Sequence, residues 1–290
     1  MDREIRTMRS MSNKLNDLTF TDYFERLMMI ARSVFQWENL PNGINEKWIE
    51  KFLFFNGSCV FFNDATRGFM VANCTHSGKI NSYDEPTKIT PTGIDYIGRE
   101  LQNGSECVLI DNNDLRTPTF HTLELYAYRL AELTRTIDTN VNLQKIPFLI
   151  LCNDKQKLTM KSILDKRNEN EIVIFGDKTL DIDGIKVLKT DAPKVFPELQ
   201  IQKHAIWNEA MTFLGVNNAN QDKRERLVAD EVSANDEQIE ASAEIFLKSR
   251  EEACNRINEL FKLNIKVHRR SDVKTALEEI EEKEGEIVNG

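Results

Sequence analysis

The chain has 290 residues, 40% of them hydrophobic and 29% charged, with a formal net charge of −9. That length buries a sizeable core as one large or two ordinary domains. The acid excess excludes a protein that simply coats nucleic acid, since such proteins are basic overall. Five cysteines, Cys59, Cys74, Cys107, Cys152 and Cys254, are widely spaced with no C-x-x-C pair. They read as free thiols, with no disulfide framework and no zinc site. No apolar run approaches the ~20 residues of a membrane-spanning helix, and the start of the chain is polar, so neither a membrane partner nor a signal peptide is expected.

In chain order, Leu15, Leu18, Phe20, Phe24, Leu27, Met28, Ala31, Val34 and Phe35 recur in steps of three and four. The spacing predicts an amphipathic helix over 15–37, ended by the Pro and Gly of 39–43. A second helix is expected over 45–54 with Asn45 as its N-cap. From 57 to 110 the texture changes to short runs rich in Val and Phe, at 58–62, 69–73 and 107–110, separated by turn residues. This stretch reads as a small antiparallel, barrel-like β subdomain.

After Thr117-Pro118-Thr119, the residues Leu123, Tyr126, Ala127, Leu130, Leu133, Ile137 and Val141 follow helical spacing up to Pro147. At ~1.5 Å per residue this is a rod of roughly 30–38 Å. Residues 147–191 read as a small α/β module, with strands at 148–152, 172–175 and 185–188 and a helix at 158–166. Another helix is expected over 199–214, ended by Gly215. Residues 217–235 form a long charged connection, and Ser233 or Asn235 is read as the cap of a last helix running to 261. The acidic tail, 278–286, reads as frayed.

No catalytic constellation stands out. There is no G-x-x-x-x-G-K-[ST] loop for a nucleotide. Asp111–Asp114 and Asp181–Gly184 lack the glycine and distal glutamate of a calcium loop and read as Asx turns. His121 and His204 fall on helix surfaces, and Trp37, Trp48 and Trp207 read as packing anchors. The apolar residues of the two helices around the α/β module, among them Leu130, Leu133, Ile137, Phe213 and Leu214, exceed what one hairpin hides from water. They are therefore expected to be buried in part by neighbouring copies. The basic residues Lys189, Lys194 and Lys203, with Lys223, Arg224 and Arg226 in the charged connection, are ordinary solvated charges in a monomer. In a symmetric ring each becomes a belt, able to touch phosphates without reading sequence.

Six segments carry a family resemblance: FQWENLPNGIN at 35–45, TPTFHTLELYAYRLAEL at 117–133, VLKTDAP at 187–193, FLGVNNAN at 213–220, KRERLVADEVSANDEQIE at 223–240 and FLKSREEACNRINELF at 246–261. In this order they resemble the head-to-tail connector, or upper collar portal protein, of small short-tailed phages. The resemblance implies an α+β, mainly α, portal fold. It divides the chain into a wing (1–116 and 236–290, holding the β subdomain), stem helices (117–145 and 199–216), a clip (146–198) and a channel loop (217–235). It also implies a dodecameric ring at one capsid vertex of the virion, assembled in the host cytoplasm. The expected partners are non-specific double-stranded DNA, the major capsid or scaffolding protein, a lower collar or tail protein, and a separate packaging ATPase. No catalysis, cofactor or metal is implied.

Lys189, Lys194, Lys203, Lys223, Arg224 and Arg226 are then candidates to line the DNA channel. Glu198 stands where relatives carry a second channel lysine, and the N-terminus is mixed in charge where some relatives have a basic, RNA-suited arm. The alternative from a different class is a cytoplasmic oligomeric helical scaffold or adaptor without a DNA channel.

Overall fold

A computed structural model describes the backbone of residues 2–93, 96–144, 148–151, 186–189, 194–217 and 229–271, and the side chains of 13–93, 96–141, 194–217 and 236–271. The chain divides into two compact units, residues 1–132 with 203–290, and residues 133–202. The first unit begins with α1 (Asp2–Ala31), β1 (Phe35–Glu38) and α2 (Glu46–Asn56). Asn45 caps α2 as expected, its side chain accepting from the Lys47 N–H, and Gly57 ends the helix in the left-handed conformation at φ 77°. A Cβ at Gly57 would collide with the Arg116 carbonyl, so this position needs glycine for space as well as for φ.

Phe35 and Trp37 do not continue α1. They alternate buried with half-buried neighbours in β1, which pairs antiparallel with β9 (Lys266–Arg269) at the far end of the chain. A four-residue strand whose partner lies more than two hundred residues away leaves no local periodicity to read. Its two aromatics fall in phase with the helix before them.

The β subdomain is a curled sheet of β2 (Ser58–Asp64), β3 (Gly68–Ile80), β4 (Pro86–Thr92), β5 (Leu101–Gln102) and β6 (Cys107–Asp111), in the order β5-β4-β3-β2-β6. A bridge between Asn103 and Cys107 brings the two edges together. Both faces are covered, which explains the uninterrupted apolar runs of β2 and β6. Val60, Phe62, Cys107 and Leu109 pack inside the curl with Ile89 and Leu101. Cys59, Phe61, Val108 and Ile110 face outward against helices instead. Strands that bury both faces lose their alternation.

Three long helices follow: α3 (Phe120–Gln144), α4 (Phe196–Phe213) and α5 (Ala229–Phe261). The helix expected after Thr117-Pro118-Thr119 agrees closely, whereas α4 begins three residues before its predicted start. The larger correction concerns the charged connection. α5 is helical from Ala229, so the last helix starts ahead of the predicted Ser233 or Asn235 and takes in residues 229–235 of the connection. Asp230 and Glu231 near a helix N-terminus suit its dipole. Residues 218–228 lie outside the described residues, as do the predicted elements at 158–166 and 172–175 and the acidic tail. In the second unit, β7 (Phe148–Leu151) and β8 (Lys186–Lys189) pair antiparallel, Phe148 opposite Lys189.

Gly215 ends α4 at φ 70°, as predicted, and a Cβ there would strike Ala243 of α5. α5 packs its Phe246, Ala253, Cys254 and Ile257 against β1, α2, β2, β6 and β9, forming the largest core cluster.

Candidate nucleic-acid interface

The helix pair that would carry a channel is built from one-sided packing. On α3, Leu123, Ala127 and Leu130 are buried against Ala210 and Met211 of α4, Leu214 just after it, and Leu27 of α1. Across the seam, Glu209 accepts from the Tyr126 hydroxyl at 3.1 Å and from Arg129 at 3.4 Å. Burial, followed by the Glu209 charge, raises the Tyr126 pKa above its usual value. Leu130 and Leu214 are thus buried inside one chain, contrary to the expectation that they need a neighbouring copy. On the outer face of α3 Leu125 is 60% exposed, and Tyr128, 57% exposed, stacks on Phe20 of α1 with ring centres 4.2 Å apart.

The candidate cations are only partly brought into view. Lys194 is exposed just before α4, its Nζ 5.6 Å from the centre of the Phe196 ring. Lys203 is half-buried on α4. Lys189 closes β8, and its side chain lies outside the described residues, as do Lys223, Arg224 and Arg226. Glu198 stands exposed in the first turn of α4. Two cations that the sequence reading passed over, Arg129 and Arg135, sit on α3, paired with Glu209 and with Asp138. Nothing in a helical run of alternating charges marks which ones meet a partner.

Nucleophilic chemistry finds little support. Burial pushes the Cys74 and Cys254 thiols up to about 12 and Cys107 to about 11, which disfavours the nucleophilic thiolate. Among the described residues no group of three or more His, Cys, Asp or Glu is placed to hold a metal ion. The 111–117 segment is a turn, as predicted, with Asn113 Oδ1 accepting from the N–H groups of Leu115 and Thr117.

The most ordered polar site is one the sequence concealed. Arg250 of α5 donates to both carboxylate oxygens of Glu50 on α2, from Nε at 2.9 Å and Nη2 at 2.8 Å. It also donates to the carbonyls of Phe246 and Asn112 and to Asn112 Oδ1. Its guanidinium lies 4.3 Å from the centre of the Phe35 ring, and Trp37 Nε1 donates to the same glutamate at 2.9 Å. Arg250 and Glu50 are each 3% exposed. One ion pair thereby ties β1, α2, α5 and the loop between β6 and α3 into a single body.

Comparison with known proteins places this arrangement. Residues 4–274 match the family described as Phage Connector (GP10). The fold is similar to a chain from the portal and tail of native bacteriophage P68, at 16% identity over 100% of this chain and 98% of that one, with a TM-score of 0.53. Weaker likenesses are to an HK97 family phage portal protein from Corynebacterium diphtheriae (12% identity, 91% and 96% covered, TM-score 0.47) and to a chain of the virion of a native gene transfer agent particle (8%, 93% and 85%, 0.45). With the match running through nearly the whole chain, the protein belongs to the phage connector family, and its role is that of a portal, the head-to-tail connector.

Proposed function

We propose that copies of this chain close into a ring at one capsid vertex, twelve of them by resemblance to the family, enclosing a channel for double-stranded DNA. In this reading α3 and α4 are the stem, residues 146–198 the clip, and the β subdomain, α1, α2 and α5 the wing. The observation that carries it is the outer face of α3. Leu125 is exposed beside the Tyr128–Phe20 stack on a helix whose inner face is already packed, and apolar surface left in water there calls for a neighbour. Like copies placed side by side supply it.

The candidate cations Lys189, Lys194, Lys203, Lys223, Arg224 and Arg226 then repeat around the lumen as belts. Non-specific phosphate contact needs no more than that. The net charge of −9 suits a conduit through which DNA slides without sticking. The resemblance assigns the channel loop to the charged connection ahead of α5. The ring has no chemistry of its own, so packaging is driven by a separate ATPase. Its protein contacts are the capsid or scaffolding protein and the tail, and its place is in the virion.

Negative-stain microscopy and native mass spectrometry of the purified protein test this. Closed rings of one stoichiometry with a central hole are expected. Monomers, or oligomers without a hole, would overturn it in favour of a helical scaffold.

A further inference from the structure

We infer that neighbouring copies meet through two unlike surfaces, the outer face of α2 on one copy docking into an anionic cleft on the next. The inference rests on the ring reading above and names the contact that closes it. The cleft, of about 480 Å³, lies between the β3–β4 turn, the loop from β6 to α3, and the outer side of α5.

Its two cations are already engaged. Arg116 donates to the Asp84 carbonyl at 2.7 Å and lies 3.4 Å from the Asp84 carboxylate. Arg256 pairs with Glu85 at 3.6 Å and donates to the Leu109 carbonyl at 3.2 Å. Three further carboxylates line the cleft: Asp111, Asp114 and Glu252. Asp111 Oδ1 is buried without a hydrogen-bond partner among the described residues, with the charges of Arg116 and Arg256 nearby. Asp114 is exposed and meets only the Ser249 hydroxyl, at 3.5 Å, among the described residues. Glu252 pairs with Lys248 of its own helix at 3.9 Å, both side chains exposed. Tyr83, 86% exposed, lines the cleft, and Leu115, 80% exposed, stands between Asp114 and Arg116. Five carboxylates against two arginines leave the cleft acidic on balance, and an acidic cleft beside bare apolar side chains fits a partner that brings cations on an apolar base.

The outer face of α2 has that chemistry. Trp48 is 45% exposed, with Lys47 Nζ and Lys51 Nζ at 4.9 and 5.4 Å from its ring. Among the described residues neither lysine has a carboxylate partner. The helix's own acids are taken, Glu46 by Arg270 and Glu50 by Arg250. Phe55, two turns on, is exposed on the same face as Trp48.

The two surfaces cannot meet within one copy. Trp48 is two residues from Glu50, about 200° round the helix. Glu50 points through the core to Arg250 and thence to Asn112, the neighbour of Asp111. The α2 face and the cleft therefore lie on opposite sides of the same packed body. Complementary patches on opposite sides of one chain make a head-to-tail contact, and head-to-tail contacts that close give rings.

Two charge-reversed proteins test the pairing, Lys47→Glu with Lys51→Glu, and Asp114→Lys with Glu252→Lys. Each alone is expected to raise the protein concentration at which half the chains are in rings by about tenfold or more. Mixed in equal amounts they should form rings again, because each variant's altered surface then fits the other's. Circular dichroism of each variant should match wild type, and recovery on mixing excludes misfolding as the cause. The pairing is overturned if either variant forms rings like wild type, or if the mixture recovers nothing. A wild-type chain that forms no rings would instead remove the ring reading itself.

Discussion

Arg250 lies in the run Lys248-Ser249-Arg250-Glu251-Glu252, which reads as a solvated helix face, yet its guanidinium is inside the core. Its hydrogen bonds to Glu50, Asn112 and Phe246 occupy the planar fork of donors that only arginine presents. The partner, Glu50, is two hundred residues earlier, so no local pattern could announce the pair. Polar burial of this kind is read only from a fold. Removing one member strands the other without a counter-charge. Arg250→Met is expected to cost about 3–5 kcal/mol, and Arg250→Met with Glu50→Leu distinctly less, because no buried charge is then left alone. Urea unfolding followed by tryptophan fluorescence measures both, Trp37 being bonded to Glu50. A single variant within about 1 kcal/mol of wild type would mean that water reaches Glu50 after all.

At the scale of elements, legibility followed sequence distance. Helices α2 and α3 could be read in advance, since 3.6-residue spacing, the Asn45 cap and the Pro118 entry are local signals. β1 and β9 could not, because each is a short strand stabilised only by the other. β4 and β5 were missed because Thr, Lys and Pro fill β4, leaving only Ile89 to mark its buried side. The same distinction between inner and outer faces sets a prediction for α3. Leu130 is fully buried against α4 and α1, so Leu130→Asp should destabilise the single chain by several kcal/mol, whatever its oligomeric state. Leu125 is exposed in the single chain, and Leu125→Asp should leave the melting of dissociated protein within a degree or two while lowering ring yield. Thermal melts at low concentration, beside ring counts by microscopy, separate the two. Wild-type ring yield from Leu125→Asp would free that face of α3 from any role between copies.

For the whole molecule the question is how an acidic protein could serve the DNA channel proposed above. Two of its candidate phosphate contacts lie at the ends of elements, Lys189 closing β8 and Lys194 just ahead of α4, while Glu198 puts a negative charge into the first turn of α4. Composition alone made the acid excess visible, but not where it falls, since facing a lumen is a property of the ring and not of the chain. If Lys194 faces DNA, its loss removes phosphate contacts in every copy that touches the duplex. Lys194→Ala should then weaken DNA association equally for duplexes of unrelated sequence, and the slope of log K against log salt should become shallower by about one or more. Glu198→Lys should do the reverse, steepening the slope, because it adds a cation where a repelling carboxylate stood. Both substitutions fall on exposed side chains, so ring yield should not change. Opposite shifts in the two slopes would place this end of α4 at the DNA. Unchanged slopes in both, with rings intact, would turn it toward a neighbouring copy or toward solvent, and leave the grip on DNA to Lys203 and the cations of the 218–228 segment.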